Sequence, residues 1–151
     1  MTHRGDVVKE TVLALDLEGT LISNALHQKP RPHLVEFLVF CHQAFRRVCI
    51  FSAVSPNKIP GILDLLAAEG HMPPALRARL EVIHWNGPHK DLRFIPGCRP
   101  KEVVLVDDQA TYVMPGQEAQ WVAVEPFISP YPDDDRALIR AAEVLKARLT
   151  G

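Results

Sequence analysis

Val12-Leu13-Ala14-Leu15-Asp16-Leu17-Glu18-Gly19-Thr20-Leu21 is an apolar run that delivers two acids into a Gly-Thr turn. A second run, Val103-Val104-Leu105-Val106, ends in Asp107-Asp108. Short, unbroken apolar runs bounded by turn signals suit central strands of a parallel sheet, buried on both faces. In open α/β sheets the ligand crevice lies beyond the carboxyl ends of the strands. If these two strands are neighbours, up to four carboxylates converge there. Two unit charges about 4 Å apart repel by roughly 4 kcal/mol at an effective dielectric near 20. Such a cluster needs a cation, shared protons, or both. Ligands that are all oxygen, without a Cys/His set, favour Mg²⁺ over zinc.

Outward from these runs, strands and helices alternate. Thr11–Asp16 is expected as the first strand, and Arg31-Pro32 opens a helix to about Phe45, with Leu34, Phe37, Leu38 and Cys41 at helical spacing. Arg47–Ser52 is a second strand ending in a hydroxyl. Ser55-Pro56-Asn57 opens a helix through about Glu69, stopped by Gly70. Residues 73–80 suit a short helix, and Glu81–Trp85, Glu102–Asp107 and Gln120–Glu125 three further strands. Asp133-Asp134-Asp135, followed by Lys146 and Arg148, fits a last helix with charges matched to its dipole. This order predicts an α/β, Rossmann-like three-layer sandwich: a central, mostly parallel five-stranded sheet with helices on both faces. No GxGxxG follows the first strand, which argues against dinucleotide binding.

The chain of 151 residues suits one domain over 1–151, with a core of about 11–149, and its 47% hydrophobic content can build that core. A net charge of −1 creates no global field for nucleic acid or an anionic membrane. Met1–Glu10 has no signal-peptide h-region, and no apolar stretch approaches the roughly 20 residues of a membrane span. Cys41, Cys49 and Cys98 form no CxxC pair, and the first two suit buried structural thiols. A soluble, cytoplasmic protein is expected. The seven histidines, His3, His27, His33, His42, His71, His84 and His89, lack metal-ligand spacing.

The strand ends together offer Asp16, a second acid, the Ser52 hydroxyl, a lysine (Lys90 or Lys101) and Asp107-Asp108. That set matches phosphoryl transfer with a carboxylate nucleophile, a cation pair to offset charge, and an acid to protonate the leaving oxygen. Asp16-Leu17-Glu18-Gly19-Thr20 resembles the first motif of the haloacid dehalogenase superfamily, Asp-x-Asp-Gly-Thr, with Glu18 replacing the second Asp. Phe51-Ser52 resembles its second motif, and Val104-Leu105-Val106-Asp107-Asp108 its acidic fourth motif. The stretches Arg31-Pro32-His33, Glu36-Phe37-Leu38, Ile50-Phe51-Ser52-Ala53 and Lys90-Asp91-Leu92 resemble one branch, the NLI-interacting-factor-like, small RNA-polymerase-tail phosphatases.

The resemblance implies Asp16 as nucleophile and Mg²⁺ ligand, and Glu18 as general acid/base with its backbone carbonyl on the metal. Ser52, with Ala53 and Thr20 beside it, would bind the phosphoryl group. Lys90 would stabilise that group and orient Asp16, and Asp108 with Asp107 would complete the metal site. Lys90 is preferred to Lys101 because Lys-Asp-Leu resembles the branch, and Lys101 precedes a strand at its starting end. Some active phosphatases of the superfamily resemble this chain in having Glu at the second acid, so Glu18 bears on substrate and rate more than on reaction type.

Singly, several of these residues have plainer readings. Ser52 alone is a strand-end turn former and Lys90 a loop charge, and Arg31 is either a contact to a substrate phosphate or, the preferred reading, a solvated charge before a helix. Trp85 and Trp121 suit core or edge packing, and Asp133–Asp135 a helix N-terminal charge run. Neither the segment between Asp16 and Ser52 nor that between Ser52 and Lys90 can hold an inserted cap domain. A cap-less, open site suits a phosphate on a bulky molecule, foremost a phosphoprotein. The alternatives are a small metabolite or nucleic-acid end on the same site, or a metal- and phosphate-binding module without turnover. The near-neutral charge argues against long nucleic acid as a partner.

Overall fold

In the computed structural model, residues 8–151 are described. Met1–Val7 lie outside them, and with them His3 and most of the stretch read for a leader. Five strands, β1 (Val12–Leu15), β2 (Arg47–Ile50), β3 (Glu81–Val82), β4 (Val103–Asp107) and β5 (Trp121–Ala123), form one sheet in the order β3-β2-β1-β4-β5. Every pairing is parallel. β1 is central: Leu15 stands opposite Ile50 of β2 on one side and Val106 of β4 on the other. That register brings the residues following Leu15 and Ile50, and the end of β4, to one edge. The order reverses direction between β1 and β4, the place where open α/β sheets bind ligands.

The unbroken apolar runs have a direct cause: all four residues of β1 are 0% exposed, because both faces of the sheet are covered. Alternate residues serve different faces. Leu13, Leu15, Val48, Ile50, Val104 and Val106 pack with α1 (Leu34–Ala44), α2 (Ile59–Ala68) and α4 (Ala137–Thr150), and Leu76 of α3 (Pro74–Arg79) adds to that side. Val12, Ala14, Cys49, Phe51, Val103 and Leu105 meet Leu92 and Ile95 on the other face. Among the described residues no α-helix contributes to that second layer; it is built from the segment 83–102, with 3₁₀ turns at Leu92–Phe94 and Pro100–Glu102 among glycines and prolines that disfavour an α-helix. The expected α/β, Rossmann-like three-layer sandwich with a five-stranded sheet is thus the fold observed, with 3₁₀ turns and loops in place of α-helices on the second face.

Boundaries shift for local reasons. The first helix begins at Leu34 rather than at Arg31-Pro32, because His33 takes a left-handed conformation (φ 71°). α2 starts at Ile59 after a turn in which Lys58 N–H donates to Ser55 O. β3 stops at Val82, and Trp85 instead turns its indole N–H to Ser52 O at 2.7 Å and packs edge-on to Phe51. Arg47 forks onto Glu81 at 2.9 and 2.8 Å, tying β2 to the short β3. Among the described residues no helix is long and apolar enough to cross a membrane. Cys41 and Cys49 are buried free thiols, as expected, and burial pushes the Cys49 thiol up to about 12.

Candidate active site

Asp16 leaves β1 at the sheet centre, its N–H held by Val106 O at 2.9 Å, and the side chain is almost wholly buried. Its Oδ1 accepts from Lys90 Nζ at 3.0 Å and its Oδ2 from Thr20 Oγ1 at 2.8 Å. Lys90 also donates to Asp107 Oδ2 at 2.5 Å, and Asp107 Oδ1 accepts the Gln109 N–H at 2.9 Å. Lys90 is fully buried, so it is not a loop charge in solvent. Its backbone is bridged to the segment after β4, Lys90 N–H donating to Tyr112 O at 2.7 Å, and its ammonium lies 4.9 Å from the Tyr112 ring centre. Lys101 sits exposed in the turn before β4, as its place at the strand's starting end requires.

Asp108 approaches the same point from the next position. Its Oδ1 lies 3.2 Å from Thr20 Oγ1 and its Oδ2 accepts from Gln109 Nε2 at 3.2 Å. Thr20 thus has one hydroxyl proton and two carboxylates within reach. Gly19 makes the approach possible: at φ 79° it has no side chain, and a Cβ there would lie 2.8 Å from Asp108 Oδ2.

The electrostatics follow from this crowding. Burial drives the Asp16 carboxyl upward, Lys90 pulls it down, and Asp107 adds to the rise, so it ends well above the usual carboxylate range. Burial raises Asp107 also, against the pull of Lys90. Asp16, Asp107 and Asp108 each offer an oxygen within 4.8 Å of the others. Three carboxylates against one ammonium leave two negative charges, and the donors are all oxygen. That set fits a divalent cation of the Mg²⁺ class, with Thr20's single proton insufficient for the acids around it.

A cleft of about 240 Å³ opens over Asp16, lined by Glu18, Ser52, Ala53, Gln109, Thr111 and Tyr112. Ser52 Oγ accepts the Val54 N–H at 3.0 Å, which leaves its own proton free to donate. Glu18 is exposed and stands apart from the Asp16 network; its Oε2 accepts the Ala25 N–H at 2.6 Å, so the 23–28 loop anchors the carboxylate at the cleft. Residues from β1, β2, β4 and the loop before β4 therefore meet around one buried carboxylate beneath an open cleft.

A comparison with protein families matches residues 11–150 to the NLI interacting factor-like phosphatases. The chain belongs to this family. No curated protein gives a match. The family match covers every site residue predicted from sequence, and the structure brings all of them, Asp16, Glu18, Thr20, Ser52, Ala53, Lys90, Asp107 and Asp108, to one edge of the sheet. Gln109, Thr111 and Tyr112 were missed; their only signal was position, directly after the acidic end of β4. Arg31 is corrected outright. It is 1% exposed and forks onto Asp135, so it is a buried ion-pair partner and not a solvated charge. Asp135 does serve the start of α4, accepting the Ala137 N–H at 3.0 Å, but its main partner lies in the first loop.

Proposed function

We propose that the chain is a Mg²⁺-dependent phosphoric monoester hydrolase that works through an aspartyl phosphate on Asp16. The observation that carries this reading is the placement of Asp16: buried at the sheet centre, held from both sides by Lys90 and Thr20, and open to a cleft on one side. A carboxylate oxygen of Asp16 bonds to phosphorus as the bond to the leaving oxygen breaks, and Glu18 gives that oxygen a proton. Water then attacks the phosphorus, Glu18 takes the proton from the water, and the Asp16–phosphorus bond breaks to release inorganic phosphate. Ser52 Oγ donates to a phosphoryl oxygen, while Lys90 holds Asp16 in line and offsets charge on the transferring group. Asp16, Asp108 and Asp107, with the Glu18 carbonyl, would hold Mg²⁺, and Asp107 would also steady Lys90 beside them. When bound, Mg²⁺ supplies Lewis-acid stabilisation of charge on the phosphoryl oxygens.

The loops between β1 and β2 and between β2 and Lys90 carry no inserted domain, so nothing in them roofs the cleft. This supports a bulky substrate, and a phosphoserine or phosphothreonine protein is the first choice. Free, buried thiols agree with a reducing, cytoplasmic setting. The test is hydrolysis of an aryl phosphate by the wild type with Mg²⁺, by the wild type with EDTA, and by Asp16→Asn with Mg²⁺. Turnover should fall at least about 10³-fold without either the metal or Asp16. Turnover that survives Asp16→Asn refutes the mechanism. A folded wild type that binds Mg²⁺ but turns over none of a phosphopeptide, metabolite and oligonucleotide panel is a binding module instead.

A further inference from the structure

Outside the carboxylate cluster, the most demanding polar group in the molecule is Arg31. Its side chain has no solvent contact, and Asp135, 104 positions further along, is its ion-pair partner. Nε and Nη2 donate to Oδ1 and Oδ2 of Asp135 at 2.9 and 3.0 Å, a bidentate fork. The remaining Nη1 turns the other way, to Thr20 O at 3.2 Å and Gly19 O at 3.4 Å. The guanidinium carbon also lies 5.3 Å from the Phe127 ring centre. Phe127 N–H donates to Gly19 O at 2.7 Å, so Arg31 and the 127–135 segment grip the same turn.

That turn carries the reacting groups. Gly19 makes room for Asp108, and Thr20 Oγ1 sits between Asp16 and Asp108. Asp135 also meets the buried guanidinium's demand for a counter-ion. Burial pushes its carboxyl up, but the Arg31 fork, the Ala137 N–H and the charges of Arg31 and Arg140 outweigh this and hold it below the usual range. A well-packed apolar pair could fill the same volume without loss of stability. It could not donate to the carbonyls of Gly19 and Thr20.

We propose that Arg31, fixed by Asp135, is a positioning residue for phosphoryl transfer: it holds the Gly19 and Thr20 carbonyls so that Thr20 keeps Asp16 and Asp108 in their working arrangement. This rests on the phosphatase reading above. The packing role and the positioning role of the pair are separable by experiment. The double variant Arg31→Met/Asp135→Leu keeps the packing and removes the donor. Asp135→Asn is the milder second variant, and Asp133→Asn, an exposed neighbour, is the control. The measurements are the urea midpoint, kcat and KM for an aryl phosphate with Mg²⁺, and the Mg²⁺ dissociation constant by calorimetry.

The expected result is a folded double variant whose midpoint falls by no more than loss of the Ala137 cap and of the donor to the Gly19 and Thr20 carbonyls requires, with kcat at least about 10-fold lower, KM within about twofold, and Mg²⁺ binding about fivefold weaker. Asp135→Asn should lose about threefold or more in kcat, and Asp133→Asn nothing. If the folded variants keep both kcat and Mg²⁺ affinity within about twofold of wild type, the proposal is overturned. A wild type without turnover sinks the phosphatase reading alone, since the ratio of Mg²⁺ affinities still decides the role of Arg31. Absence of Mg²⁺ binding to the wild type overturns both.

Discussion

Gly19→Ala is the sharpest test of how the acids are brought together. The perturbation has two parts. The first is backbone: Gly19 lies at φ 79°, where an L side chain costs about 1–2 kcal/mol. The second is contact: the new Cβ would lie 2.8 Å from Asp108 Oδ2 and 3.3 Å from its Cγ, so the carboxylate must move away. Moving it opens the 3.2 Å contact with Thr20 and withdraws one of the oxygens grouped around Asp16. Gly70→Ala separates the two parts, because Gly70 has φ 83° and nothing within 4 Å of a Cβ. Urea unfolding should show both variants destabilised by about 1–2 kcal/mol. Only Gly19→Ala should lose activity. A hydrogen bond to a charged group is worth about 1.5–3 kcal/mol, which corresponds to about 10–150-fold in kcat/KM against an aryl phosphate. The half-saturating Mg²⁺ concentration should rise in the same variant. Activity of Gly19→Ala within about twofold of Gly70→Ala refutes the reasoning, since the close approach of Asp108 would then carry no function.

Lys90→Met leaves the carboxylates of Asp16 and Asp107 buried without their shared cation, and removal of one partner of a buried pair costs about 3–5 kcal/mol. Urea unfolding in EDTA should show that loss while the exposed Lys101→Met shows none; a loss under about 1 kcal/mol for Lys90→Met contradicts the buried bridge. His42 gives a pH prediction. Burial lowers its pKa below 6.5 against the opposing Leu38 carbonyl, with the Arg79 charge adding to the fall, and its Nε2 has no hydrogen-bond partner among the described residues. The unfolded chain binds this proton more readily, so the stability is complete above about pH 6.5 and is lost as pH falls from there through the folded-state pKa. The stability of the wild type relative to His42→Leu should therefore drop between pH 7.5 and pH 5, and parallel curves would remove the buried neutral imidazole from the account.

The parts of this fold that were legible in the sequence are those in which local chemistry and global position impose the same pattern. β1 and β4 are covered on both faces, so their burial appears directly as unbroken apolar runs, and their acids follow at the edge where such sheets bind ligands. Ser52 and Lys90 gained meaning only through order along the chain, and the structure joins Lys90 to Asp16 across 74 positions. Arg31 was misread because the fork onto Asp135 leaves no periodicity, and a lone arginine before a helix has the ordinary pattern of a solvated charge. The second layer differs from expectation for the opposite reason. Its local signals, Gly87, Pro88, Pro96, Gly97 and Pro100, oppose an α-helix, and a three-layer order is satisfied there by 3₁₀ turns instead.

The adjacent acids Asp107 and Asp108 show how one register step divides labour at a strand end. Side chains alternate across a strand, so neighbours cannot face the same surroundings. Asp107 is the last residue of β4 and wholly buried; Lys90 takes one oxygen and the Gln109 N–H the other. Both of its oxygens are engaged, so besides offering an oxygen to the carboxylate cluster it fixes the ammonium that Asp16 shares. Asp108 is only half-buried, touches Thr20 across the space beside Gly19, and borders a second hollow that shares Glu18 and Gln109 with the cleft over Asp16. An acid in the first position therefore directs Lys90, while an acid in the second stands between Thr20 and the neighbouring hollow. The sequence displays the two as a repeat of one letter, and only the parallel register of β1 with β4 makes them different groups.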